Sequence, residues 1–209
     1  NYNYSTGNAI KSLNISLGLN SMPGSFLQPE TEISFSYQYL KKNFINIRSY
    51  LGGFLSKPDI LFPAYRLNMY GSTDNLMNEI YIDRAQKSEI VTGFERQTDN
   101  QQGAFKSYVP VDTDKWIASL NLQADIPKTP FAIYWDYGAI ADDKKLFFGA
   151  GLILQIIRNN FEIYFPLLGT NYINTPSSTP YDFSEFKSNI RFTLKLQNLN
   201  PNKVIEEVF

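Results

Sequence analysis

Apolar residues recur at every second position along most of the chain, a spacing that suits strands and not helices. Leu13, Ile15, Leu17 and Leu19 alternate with Asn14, Ser16, Gly18 and Asn20. Trp116, Ala118, Leu120 and Leu122 alternate with Ile117, Ser119, Asn121 and Gln123. Near the C-terminus Ile190, Phe192, Leu194 and Leu196 alternate with Arg191, Thr193, Lys195 and Gln197. Helical periodicity is weak throughout, so the fold class predicted is all-β. About ten strands are expected, near 10–20, 32–41, 44–56, 60–71, 78–85, 113–125, 130–140, 145–157, 160–169 and 186–198.

Turn chemistry separates the runs, as in Lys41-Lys42-Asn43, Lys57-Pro58-Asp59, Pro127-Lys128-Thr129-Pro130 and Arg158-Asn159-Asn160. Those connections are short, whereas Thr73–Asn78, Gln86–Asp112 and Thr170–Glu185 are long and polar. Short turns at one end and long loops at the other are the habit of outer-membrane barrels, and a soluble sandwich can imitate it. No internal repeat or linker divides the chain, so residues 1–209 are expected to form a single β domain.

Composition narrows the chemistry. The 19 Lys+Arg against 20 Asp+Glu give a net charge of −1, without the broad basic field of a nucleic-acid binder. The sequence has no Cys and no His, which removes disulfides, thiolate zinc sites, His-ligated metals and Ser-His-Asp or Cys-His catalysis from it. No cofactor is expected. An Asp-x-Asp-x-Asp-Gly calcium ladder is missing around Asp112 and Asp114, and no carboxylate pair is forced together by its spacing. Catalysis within this chain is therefore not expected.

Alternation alone does not say which face meets water. A soluble sandwich turns its apolar face inward, and a membrane barrel turns it outward. Three features favour lipid. The polar faces are rich in Ser, Asn, Gln, Gly and Tyr and poor in Lys and Glu. Tyr37, Tyr39, Tyr50, Trp116, Tyr134 and Trp135 fall near expected strand ends, where an aromatic girdle sits. The expected strands reach the 9–11 residues of a tilted membrane crossing. No apolar stretch is long enough for a membrane helix, so any crossing is made by strands.

The second half carries an ordered set of motifs: Ser119–Pro127, then Phe131-Ala-Ile-Tyr-Trp-Asp-Tyr-Gly138, Phe148-Gly-Ala-Gly-Leu152, Phe161-Glu-Ile-Tyr-Phe-Pro166 and Ile190-Arg-Phe-Thr-Leu-Lys-Leu196. In this order and spacing it resembles the C-terminal barrel region of the BamA/TamA surface-antigen superfamily. There, an aromatic-Asp-x-Gly strand precedes a Gly-x-Gly strand, an aromatic-Pro strand and a closing strand. A narrower likeness is to barrels fused behind gluzincin-type zinc metallopeptidase domains, through Tyr164-Phe-Pro166, Ile190-Arg-Phe192 and Asn198-Leu-Asn-Pro201. The superfamily's lumen loop bears a Val-Arg-Gly-Phe-type motif whose Arg meets the Asp of the aromatic-Asp-x-Gly strand. The nearest stretches here are Thr92-Gly-Phe-Glu-Arg96 and Gln102-Gly-Ala-Phe-Lys106, and neither matches cleanly.

The resemblance implies an antiparallel transmembrane β-barrel region that is part of a larger barrel, set in the outer membrane of a bacterial cell. It would act as an anchor, scaffold or gated pore, non-catalytic in itself, with the lipid bilayer and other outer-membrane or periplasmic subunits as partners. A soluble β-sandwich or barrel binding a glycan-type ligand is the alternative. So is a barrel appended to a zinc metallopeptidase whose catalytic domain lies outside this sequence.

Asp136 has two readings: a lumen carboxylate paired to Arg84, Arg96 or Arg191, or a solvated strand carboxylate. Glu162, Arg191 and Lys195 share the polar face of neighbouring strands and could form a charge ladder. Gly138, Gly149 and Gly151 either admit the close approach of a loop or relieve curvature.

Overall fold

The alternating runs become long antiparallel strands. The computed structural model describes residues 2–3, 10–22, 26–57, 66–70, 97–98, 101–109, 111–170, 186 and 189–195. Among these lie β1 (Tyr2–Asn3), β2 (Ile10–Met22), β3 (Phe26–Leu40), β4 (Asn43–Gly53), β5 (Leu67–Asn68), β6 (Asp112–Thr113), β7 (Trp116–Asp125), β8 (Phe131–Ile140), β9 (Asp143–Ile157), β10 (Phe161–Gly169) and β11 (Arg191–Leu194). Nine form one antiparallel sheet in the order β1-β2-β3-β4-β7-β8-β9-β10-β11, and β5 and β6 make a separate ribbon.

The sheet is open. Its outermost strands, β1 and β11, are two and four residues long and are not paired with each other among the described residues. A closing seam needs partners as long as β2 and β10, so the expected closed barrel is not formed among the described residues. Of the expected strand at 60–71 only 66–70 lie among the described residues; there Leu67–Asn68 pair with β6 and not with the large sheet, and Leu67, Asn68 and Met69 are buried against that sheet's covered face. The expected strand at 78–85 lies outside the described residues. β3 starts six residues before its expected boundary. Pro29 hid that start, and it is tolerated because pairing with β4 begins only at Glu30.

The tight ends are Lys41–Lys42, the 126–130 turn and Arg158–Asn160, all at one rim. At the opposite rim β8 and β9 are joined by Ala141–Asp142 alone, so that end is not uniformly long-looped. Lys57, expected in a short turn, lies beyond β4 at this same opposite rim.

The two faces differ in polarity. One carries Leu13, Ile15, Leu17 and Leu19 on β2, Ile33, Phe35 and Tyr37 on β3, and Ile45, Ile47 and Leu51 on β4. It continues through Leu120 and Leu122, Ile133, Trp135 and Tyr137, then Phe148, Leu152 and Leu154, and ends at Ile163, Phe165 and Phe192. No side chain in this band is charged, and much of it is bare: Leu17 is 78% exposed and Leu120 39%. The other face holds Glu30, Glu32, Arg48, Asp125, Asp136, Glu162 and Arg191. Segments 66–70, 101–109 and 111–113 cover part of this second face. Leu67, Met69, Phe105 and Val109 pack there against Tyr50, Ile117, Ile140 and Phe147 of the sheet. A second cluster, Ala132, Tyr134, Ile153 and Tyr164, fills the space beneath β8–β10.

Ion pairs tie the ribbon to the rim. Arg66 meets Asp112, Lys57 lies 2.9 Å from Asp114, and Lys115 meets Asp142. The Thr113 hydroxyl donates to Asp142 at 2.6 Å. The hydrogen bond from Lys115, then that from Thr113, hold the Asp142 carboxyl below its ordinary range. A lowered carboxyl stabilises the fold above the ordinary carboxylate range, and the effect is lost as pH falls through the folded-state value. Asp142→Asn should therefore lower the unfolding temperature at about pH 7, and the gap from the parent should narrow as the pH is taken down through and below the ordinary carboxylate range. Paired melting curves across that pH range check this; an unchanging gap would contradict it.

Candidate functional site

A single transverse row organises the covered face. Register places Asn14, Ser34, Arg48, Asn121, Asp136 and Gly149 side by side across β2, β3, β4, β7, β8 and β9. In an antiparallel sheet, directly opposed residues share a face and lie about 5 Å apart, close enough to bond. Arg48 donates to Asn121 Oδ1 at 3.0 Å and to Glu32 at 2.7 Å. Asn121 in turn donates to Asp136 Oδ1 at 2.9 Å. Asp136 is fully buried.

The 101–109 segment drops onto this row. Lys106 donates its backbone N–H to Asp136 Oδ2 at 2.8 Å, and its ammonium lies 3.2 Å from Oδ1. Asn121 also donates to the Gly103 carbonyl at 3.1 Å, and Arg48 to the Gln102 carbonyl at 2.9 Å. From the other side the loop is braced by 66–70. Gln102 Oε1 accepts from the Asn68 N–H at 2.7 Å, and the Phe105 N–H donates to the Met69 carbonyl at 2.9 Å. Gln102 and Ala104 adopt left-handed backbone, with φ of 48° and 52°. Ala104 has no polar side chain to ease that conformation, so the surrounding contacts impose it.

The glycines mark two kinds of close approach. A Cβ on Gly138 would strike Met69 and Phe105, and one on Gly149 would lie 2.6 Å from Ser107 Oγ. Both let the covering segments sit flush against the wall. Gly151 serves the wall itself, since a Cβ there would strike the Phe165 carbonyl and the Tyr134 ring.

Asp136 is tied to an inward loop, but through Lys106 and not Arg191. Arg191 is three strands away, about 14 Å at normal strand spacing, and its guanidinium lies over the rings of Tyr70 and Tyr108 at 5.4 and 5.1 Å. Arg84 and Arg96 lie outside the described residues. The charge ladder does not form. Glu162 stands opposite Thr193 and accepts from the Tyr164 hydroxyl at 3.1 Å and the Asn159 N–H at 3.2 Å, while Arg191 stands opposite Tyr164. Lys195 lies just beyond β11, where its N–H donates to the Asn160 carbonyl at 2.8 Å. Arg48, Asn121 and Lys106 escaped the sequence reading. The signal available for Arg48 was that it is the one charged residue in Asn43–Gly53.

Beside the loop a cavity of about 310 Å³ opens between β2–β4 and Lys106, its lining a mixture of polar groups such as Ser34, Ser36, Asn46 and Gln123 with apolar ones such as Ala104 and Leu122. Hydroxyls and amides there can hold water or a small polar solute. Among the described residues no group of three acidic, Cys or His side chains could hold a metal. The chemistry on display is a buried, charge-assisted latch between a loop and a wall. No family model, curated protein or solved structure matches the chain.

Removing one partner of a buried ion pair strands the other charge, at a cost of about 3–5 kcal/mol. Asp136→Ala should lose about that much stability and expose the bond after Lys106 to trypsin, which the buried Lys106 of the parent should resist. Chemical denaturation with limited proteolysis checks both; parental cleavage with a stability change within about 0.5 kcal/mol would contradict it.

Proposed function

We propose that this chain is a section of an outer-membrane β-barrel wall, acting as a membrane anchor or scaffold whose polar interior is closed by a latched loop. The observation that carries the reading is the uncharged, exposed band opposite a face that holds the strand charges. Water would solvate that band poorly, whereas hydrocarbon suits it. Strand length agrees: β7 and β8 are ten residues each, enough for a tilted crossing. The Lys106–Asp136 contact supports the likeness to the BamA/TamA superfamily, because Lys106 takes the part of that family's loop Arg on the Asp of an aromatic-Asp-x-Gly strand. Hydrocarbon tolerates no open sheet edge, so the reading requires β2 and the β10–β11 edge to be covered by further strands, from a longer chain or another copy. The role is mechanical: the chain holds its place in the membrane, and release of the loop would open the polar interior.

Leu120 tests this directly, since it is central in the band. Leu120→Arg should cost about 2–4 kcal/mol for the protein folded in lipid bilayers, the cost of a cation on a lipid-facing strand near the midplane. A solvent-facing position would change by no more than about 0.5 kcal/mol. Equilibrium unfolding from vesicles distinguishes the two, and the smaller value would favour a soluble ligand-binding sheet.

A further inference from the structure

The rim formed by the tight turns is cationic, although the chain as a whole carries −1. Lys11 lies at the bulge where β2 meets Tyr37, Lys41 and Lys42 make the β3–β4 turn, Lys128 caps β7–β8, and Arg158 and Lys195 flank the β9–β10 turn. Across the eight strands from β2 to β11 these cations span roughly 34 Å. Two acids stand at this level among the described residues, and both are spent: Arg158 lies 2.8 Å from Asp125 and the Phe44 N–H donates to it at 2.7 Å, while Glu162 is buried on the covered face and accepts from the Asn159 N–H at 3.2 Å and the Tyr164 hydroxyl at 3.1 Å. Lys11, Lys41, Lys42, Lys128 and Lys195 have no ion-pair partner among the described residues. The opposite rim is arranged otherwise, with Arg66, Lys57 and Lys115 each matched to an aspartate.

The lysines also adjoin the apolar band. Leu40 is exposed beside Lys41, Phe131 beside the Lys128 turn, and Ile156 beside Arg158. A row of unmatched cations directly above exposed apolar side chains is complementary to a surface with phosphate outside and acyl chains within. We propose that the tight-turn rim binds the headgroups of anionic phospholipids and so fixes which leaflet this end of the sheet faces. The proposal rests on the membrane reading above and adds the lipid class and the orientation. A free soluble anion is a poorer fit, because the lysines are spread along a line and do not converge on one point.

Flotation of the chain with vesicles of phosphatidylcholine alone, or mixed with phosphatidylglycerol, tests it. The chain should bind the mixed vesicles far more tightly, and the preference should fade as salt rises, because exposed charges are screened. The triple variant Lys41→Gln, Lys42→Gln, Lys128→Asn should lose on the order of 100-fold in that preference, at about fivefold per lysine, while still binding phosphatidylcholine as the parent does. Asn is chosen at 128 because Lys128 has a φ of 64°. Equal binding of the parent to both vesicle types, or a preference insensitive to salt, would overturn the rim proposal alone, and neither result depends on the variant folding. Loss of the preference on adding inorganic phosphate at matched ionic strength would also overturn it, in favour of a soluble-anion site. Failure to float with either vesicle would overturn the membrane reading as well.

Discussion

Every backbone in a sheet offers its side chains only two directions, and this chain places all its central charges on one of them. The rest of the structure follows from that division. Glu30, Glu32, Arg48, Asp125, Asp136, Glu162 and Arg191 share a face, and the facing band from Leu13 to Phe192 carries no charged side chain. A side chain moved by one register step would carry its charge through to the other side, so pairing along β2–β3–β4 and β7–β8–β9 is strongly specified. A soluble β protein uses the same division the opposite way, packing its apolar face and wetting its charged one. Here it is the polar face that is covered.

Covering a polar face requires that its charges be matched. Asp136 has no contact with solvent, and a carboxylate in that position is costly unless several donors meet it. Lys106 and Asn121 do so, and Asn121 is itself held by Arg48, which is braced by Glu32. The apolar side chains that share this side, Met69 and Phe105 of the covering segments and Ile117 and Phe147 of the sheet, pack together next to the pair, while the cavity borders Lys106 and Asn121 on another flank. Wall and covering loop are thus fastened by one continuous polar chain beside an apolar cluster. That arrangement is stiff, because each member satisfies the next.

The strands were legible because alternation is a local property. Runs such as Trp116–Leu122 and Ile190–Leu196 showed their two faces without knowledge of their neighbours, and the tight turns at Lys41–Lys42 and Arg158–Asn160 were marked by their composition. Leu67 and Met69 alternated equally well, and Leu67–Asn68 is a strand, but a segment buried from all sides leaves no periodic trace of which partner it pairs with. The site was legible only in part. Asp136 and the glycines stood out within their own strands. Arg48 and Asn121 meet because a connection running from Phe54 to Lys115 returns the chain beside β4, and no local pattern reports that return. Lys106 was obscured because it stands one residue after Phe105, where the likeness led one to look for an arginine ahead of a Gly-Phe pair.

Both tryptophans of the chain, Trp116 and Trp135, are outward-facing and close to half exposed, 45% and 43%. Trp135 sits midway along β8, and Trp116 at the end of β7 away from the tight turns. Fluorescence quenching of the single-tryptophan variant Trp116→Phe, reconstituted in vesicles whose acyl chains carry bromine at mid-depth, measures whether Trp135 touches hydrocarbon. The account predicts strong quenching by the brominated lipid and little by aqueous iodide. Efficient quenching by iodide with none from the lipid would show the band facing water, and the account would be wrong.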